Sequence, residues 1–359
     1  MTRTSNNPWL HRFAVLTAVA TLFLICVGGV VTSKGVGLAV PDWPTSFGYN
    51  MFFLPFSKWK VGGVFYEHSH RLVASAVGLM TTILAVWLWL KEERRWLRWL
   101  GVIAFVAVVV QGVLGGLRVT QLKDELGIFH AALAQLFFVL VCAIALFTTS
   151  RCQIVRDAST CQGAPWSFRQ VLECGSPLPL SYLAITGLIF GQLLIGATMR
   201  HQHAGLAIPD FPLAYGELWP AMDDAAITRY NQIRHEATAV HPITASGVAL
   251  QMVHRILAFA ILFSVLFAGW KTLRQFTARS LPGRLAVGWV TLILVQVALG
   301  AATIWTNKSA DIATAHVAVG ALSLATGAML VLTTPRCFSN APAFRERIIS
   351  EPNPIAATT

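Results

Sequence analysis

Eight times along the chain, about twenty residues pass with almost no charge, the length an α-helix needs to cross the hydrocarbon of a bilayer. The runs fall at 13–33, 69–90, 99–117, 127–148, 181–199, 248–270, 284–304 and 312–333. In hydrocarbon each backbone N–H and C=O needs a partner within the protein, which restricts a spanning segment to a helix or a closed barrel. Continuous apolar runs of this length predict helices. Only 12% of the 359 residues are charged, about half the share usual in a soluble domain, so the class is a polytopic membrane protein. The first run is too long for a signal-peptide core and lacks a small-residue cleavage site, so it reads as a span. The short segment before it leaves no room for a transit peptide, which points to a bacterial chain.

Lys and Arg set the orientation. Sixteen of the 27 lie in the N-terminus, the 91–98 loop, the 149–180 linker, the 271–284 loop and the C-terminus, and nine lie in the alternate loops. Both termini are therefore expected in the cytoplasm, with the long loops 34–66 and 200–247 outside. The net charge of +11 resides mostly in the inside loops and requires no nucleic-acid partner. None of the six cysteines (Cys26, Cys142, Cys152, Cys161, Cys174, Cys337) lies in an outward loop or a Cys-x-x-Cys pair. Three sit in the linker on the cytoplasmic side, where thiols stay reduced.

The sequence is also written twice. "GGVVTSKGVGLAVPDWP" (28–44) matches "GATMRHQHAGLAIPDFP" (196–212), an offset of 168. "HRLVASAV" (70–77) matches "HRILAFAI" (254–261), "QGVLGG" (111–116) matches "QVALGA" (296–301), and "HAALAQL" (130–136) matches "HVAVGAL" (316–322), at offsets of 184 to 186. The expected fold is all-α: eight transmembrane helices as two tandem four-helix bundles related by pseudo-twofold symmetry along the membrane normal, as parallel repeats are. Residues 1–148 form the N-terminal half, 149–180 a cytoplasmic linker, 181–335 the C-terminal half and 336–359 a cytoplasmic tail expected to be disordered.

His70, His130, His254 and His316 lie near the starts of the four even-numbered spans, at one depth, two per half. A histidine inside a span is a functional candidate by default. One alone is often only an interhelical hydrogen-bond partner. Two imidazoles from facing helices can instead hold one porphyrin iron between them. Ala74, Ala134, Ala258 and Gly320, one turn on, leave room for a flat macrocycle, although small residues are common at membrane helix contacts in any case. A non-heme metal would want three or four converging ligands.

Arg71 and Arg255 each follow a candidate ligand and are candidate contacts for propionates, or else they snorkel to the interface. His68, His201, His203, His235 and His241 read as outer-loop or interface residues, with His201 and His203 solvated. "PDWP" and "PDFP" are stiff turns, read either as lids or as helix starts capped by Asp42 and Asp210. Glu67 stands one turn before His70, whereas Gln251 stands at the same place before His254. A carboxylate can take or give a proton and stabilise positive charge; an amide only hydrogen-bonds.

The Glu-x-x-His-Arg element (Glu67 to Arg71), the paired histidines on even spans and the "GVGLAVPDWP" loop resemble the heme A synthase family, over nearly the whole chain. The resemblance implies oxidation of the heme O methyl to a formyl group by successive hydroxylations. It implies a heme b cofactor on His254 and His316 in the C-terminal half. It places the substrate heme O on His70 and His130 in the N-terminal half, with Glu67 catalytic. It also implies the bacterial inner membrane as the location, membrane lipid, heme O synthase and cytochrome oxidase assembly factors as partners, and room for a homo-oligomer. The cysteine pairs that some members carry in the outward loops are absent here, so no mechanism that depends on them operates in this chain. A non-enzymatic diheme cytochrome passing electrons from a quinol, and a heme transporter or chaperone, remain alternatives.

Overall fold

A computed structural model describes residues 7–149, 177–233 and 241–338. It contains eight long apolar helices, one for each expected run: α1 (Pro8–Ser33), α2 (Val64–Lys91), α3 (Arg95–Gln121), α4 (Asp124–Thr148), α5 (Pro177–His201), α6 (Ala245–Gln275), α7 (Leu281–Trp305) and α8 (Ala310–Phe338). Each is long and apolar enough to cross a membrane, and the described residues contain no strand beyond two isolated bridges. The helices outrun the apolar runs by about a turn at many ends, because polar and basic residues continue the helical hydrogen bonding past the hydrocarbon. Nearly all of the 149–180 linker, most of the 336–359 tail, His235, Cys152, Cys161 and Cys174 lie outside the described residues.

Local chemistry fixes the helix ends. Asn7 caps α1 by accepting from the Trp9 and Leu10 amides, with Pro8 in the first turn. Thr244 caps α6 and Ser280 caps α7 through the Gly247 and Gly283 amides. Within the spans, hydroxyls of Thr17, Thr21, Thr81 and Thr198 bond carbonyls one turn back, which keeps polar side chains satisfied away from water.

Neighbours in sequence are neighbours in space. α1 packs on α2, α2 on α3, α3 on α4, and α4 returns to α1; α5 to α8 repeat that circuit. The two sets meet where α1 and α4 touch α8 and where α4 touches α5. One core cluster fills the first circuit around Leu84, Leu88, Leu97 and Ile144. A second fills the other around Tyr182, Val265, Trp289 and Leu330. A third small cluster, Phe138 with Ala321 and Ala325, lies on the seam between them.

The loops following α1 and α5 repeat one another in detail. Each has a cis aromatic–Pro bond, Trp43–Pro44 and Phe211–Pro212. Each closes on a bridge, Ser46 with Tyr49 and Ala214 with Glu217, and each turns through two positive-φ residues, Phe47–Gly48 and Tyr215–Gly216. Asp42 and Asp210 organise these turns and do not start helices, which corrects the capping expectation. Asp42 accepts from the Phe47 and Gly48 amides at 2.6 and 2.8 Å and from the Thr45 hydroxyl. Asp210 accepts from the Tyr215 and Gly216 amides at 2.7 and 2.9 Å. Burial alone would raise the Asp42 carboxyl; the bonds from Thr45, Gly48 and Phe47 outweigh it and hold it below its usual value. The turn's stabilisation is therefore complete above the ordinary carboxylate pKa and lost only as pH falls through the depressed value.

Candidate functional site

All four histidines sit at the end of the bundle that carries the long loops, and each is seated against a glycine of a neighbouring odd-numbered helix. A Cβ added at Gly28 of α1 would come within 3.0 Å of the His70 ring, and one at Gly196 of α5 within 3.5 Å of His254. Gly115 and Gly300, on α3 and α7, stand in the same relation to His130 and His316 at 3.2 and 3.3 Å. Gly28 and Gly196 are equivalent in the repeat, as are Gly115 and Gly300. Glutamines help to set the histidine backbones: Gln111 donates to the His130 carbonyl at 2.8 Å and Gln192 to that of His254 at 2.9 Å. Gln296, the counterpart of Gln111, lies 3.5 Å from the His316 ring.

The ring centres of His254 and His316 are 6.5 Å apart. Metal–imidazole bonds of about 2.0–2.1 Å, with ring centres roughly 1.1 Å behind the nitrogens, would put two rings about 6.3 Å apart across one iron. Nδ1 of all four histidines is buried without a hydrogen-bond partner among the described residues, as are the side-chain oxygens of Gln111, Gln192 and Gln296. Orphaned buried polar atoms around paired imidazoles, with glycines leaving space beside the rings, fit a planar iron ligand system better than a closed apolar core. No group of three or more His, Cys, Asp or Glu suited to a bare metal ion occurs among the described residues.

Beside each pair lies a latch that holds the long loop to the helix. Glu67 is buried, 4% exposed, with both oxygens engaged. Oε2 accepts from the Val40 amide at 2.9 Å and Oε1 pairs with Arg71 at 2.7 Å. Arg71 also donates to the carbonyls of Val40, Asp42 and Thr45. In the second copy Gln251 accepts from the Ile208 amide at 2.7 Å and donates back to the Ile208 carbonyl at 3.2 Å. Arg255 bonds the carbonyls of Asp210 and Leu213. Val40 and Ile208 are equivalent in the repeat, as are Asp42 with Asp210 and Thr45 with Leu213. The amide thus does alone what the first copy divides between a carboxylate and a guanidinium. Both arginines weighed as propionate contacts bond loop carbonyls, Arg71 together with Glu67, while Nε of Arg255 is buried without a hydrogen-bond partner among the described residues.

Two other histidines differ from expectation. His68 is buried, 1% exposed, with its ring against the edge of Trp59 at 4.7 Å, because the short helix Phe56–Trp59 folds over the start of α2. His201, expected in solvent, is buried at the end of α5, where Gly127 of α4 leaves a slot for its ring. Its Nδ1 lies 4.0 Å from an Asp124 carboxylate oxygen. His203 is exposed and stacks on His241 at 4.5 Å, at the rim of a cavity of about 300 Å³.

A family model described as cytochrome oxidase assembly protein (COX15-CtaA) matches residues 11–328. The chain belongs to this family. Among curated relatives, the heme A synthase of Geobacillus kaustophilus is 26% identical over 322 residues, 86% of each chain. That of Halalkalibacterium halodurans is 25% identical over 335 residues, 91% of this chain and 99% of the relative. That of Lysinibacillus sphaericus is 25% identical over 321 residues, 87% and 90% of the two. The resemblance read from the histidine frame and the first loop is thereby borne out at family level.

Sequence reasoning passed over the glycine seats and the carbonyl-holding glutamines. Their signal was present: "QGVLGG" and "QVALGA" carry Gln111 with Gly115 and Gln296 with Gly300 at one spacing. In the sequence alone that spacing marks duplication; the fold makes it a fitting around the histidines.

Proposed function

We propose that this chain is a heme A synthase of a bacterial cytoplasmic membrane, oxidising the C8 methyl of heme O to a formyl group by successive hydroxylations. The observation that carries the reading is the asymmetry within a doubled site: two equivalent histidine pairs with equivalent glycine seats, and a buried carboxylate beside only one of them. His254 and His316 would hold a resident heme b, which supplies one-electron chemistry when bound. His70 and His130 would hold the substrate heme. The two histidine pairs belong to two four-helix halves, 1–148 and 181–335, related by a pseudo-twofold axis along the membrane normal. Both termini lie in the cytoplasm and the long loops outside.

In this reading the protein's residues divide the work. The glycine seats and glutamines orient the imidazoles. The Arg71 and Arg255 latches draw the long loops over the histidine ends of the helices and keep water out. Glu67, placed one turn before His70, holds or moves a proton at its carboxylate while the methyl carbon beside it is oxidised, and stabilises positive charge developing there. Gln251 can do neither, so the second copy is left to hold its cofactor. Heme O, lipid, heme O synthase and cytochrome oxidase assembly factors are the expected partners, and a homo-oligomer is compatible with the fold.

A diheme electron carrier is the second reading, favoured by the near-identical seating of the two histidine pairs. Counting hemes per chain separates the two. Protein purified without heme O should carry a full resident heme and an empty or partly filled second site, which fills with heme O or its oxidised products on supply. Two hemes b bound tightly under both conditions would favour the carrier.

A further inference from the structure

Arg118 is the one cation beside the His70–His130 pair that the fold leaves uncommitted among the described residues. It lies in the last turn of α3, half-buried. Its guanidinium rests on the backbone of Gly37 in the first long loop, where an added Cβ would come within 2.9 Å of Nη1. Arg118 stands one turn beyond Gly115, the residue of the same helix that seats the His130 ring. The carboxylates nearest in effect to it are those of Glu67 and Asp124. Neither carboxylate is within ion-pair distance, and no hydrogen bond engages the guanidinium among the described residues. Glu67 is already taken up by Arg71 and Val40, and Asp124 is largely exposed.

The second copy has no cation at the equivalent position. The position equivalent to Arg118 is Thr303, whose hydroxyl bonds the Leu299 carbonyl of its own helix. Arg200 of the second copy comes from a different helix, in the last turn of α5. It is committed across the seam to the Gly29 carbonyl at 2.7 Å and to the Ser33 hydroxyl. A partly buried guanidinium without a protein partner is free to take a ligand, and its planar fork suits a carboxylate.

We propose that Arg118 binds a propionate carboxylate of the tetrapyrrole at the His70–His130 site and so sets its orientation over Glu67. The proposal deepens the substrate-site reading above and rests on it. It assigns to Arg118 the contact first sought at Arg71, and it makes recognition of the free acid a property of the N-terminal site.

The test uses full-length protein with its resident heme in place, titrated in detergent with ferric heme b or with its dimethyl ester, whose propionates carry no charge. Uptake at the N-terminal site is identified by its loss in His70→Ala. Wild type should bind the free acid about ten- to a hundredfold more tightly than the ester, the range expected for loss of a charge-assisted pair. Arg118→Ala should bind both probes equally at the weaker level, and Arg118→Lys should recover part of the preference. Resident heme content in each variant verifies the fold. Equal binding of acid and ester by wild type, or an unchanged preference in Arg118→Ala, would overturn the proposal while leaving the substrate-site reading standing. Uptake of neither probe at a His70-dependent site would overturn both.

Discussion

Glu67→Gln should keep its fold, its resident heme and its uptake of substrate heme, yet lose formyl product by ~100- to 10,000-fold, the usual cost of removing one general acid or base. The structure sharpens this expectation, because the second copy already shows what an amide does at that position. Gln251 holds the Ile208 amide and carbonyl together. A glutamine at 67 has Val40 available in the same relation, and Arg71 keeps its three loop carbonyls. The replacement is nearly isosteric, so packing should survive. Glu67→Ala, by contrast, should open the latch and weaken both binding and turnover. Product formation and N-site occupancy measured on one preparation distinguish the two roles. If Glu67 serves only as a latch, Glu67→Gln produces formyl heme at a near-normal rate. Gln251→Glu should not confer turnover on the second site, where the proposed function has a heme held as a cofactor.

His254→Ala and His316→Ala should each remove the resident heme from the purified protein, as measured by pyridine hemochrome. Each substitution deletes one of two imidazoles whose spacing matches a single iron held between them. It also leaves an opened apolar wall beside Gly196 or Gly300. The N-terminal pair should still be able to take up heme, because its seats on Gly28 and Gly115 are built from other helices. A full heme complement in both variants would refute the bis-histidine assignment.

The spans were legible because hydrocarbon leaves a chain so few options: twenty apolar residues predict a helix almost regardless of detail. The duplication was legible because four segments, "PDWP" and "PDFP" among them, recur in the same order at offsets of 168 to 186; the fold adds that those two anchor the same turn, with equivalent bridges and positive-φ pairs. Glu67 and the four histidines stood out because polar residues are rare in such runs. The uses of the polar groups were less legible. Nothing in "HRLVASAV" says that Arg71 reaches back some thirty residues to loop carbonyls, since that depends on how the loop closes over the helix. His201 looked solvated because it ends a span, and only Gly127 of another helix makes the slot that buries it. Arg118 looked like one more outer-loop cation; its interest comes from what does not bond to it.

The central claim is chemical, and the pigment itself tests it. Membranes containing this chain as their sole candidate catalyst should be supplied with heme O under aerobic conditions, and the extracted porphyrins separated and identified by mass and by pyridine hemochrome spectrum. The account predicts a formyl porphyrin, preceded by the hydroxymethyl form, in wild type and near-absence of both in Glu67→Gln. Heme O recovered unchanged from membranes in which the chain is inserted and carries its resident heme would contradict it.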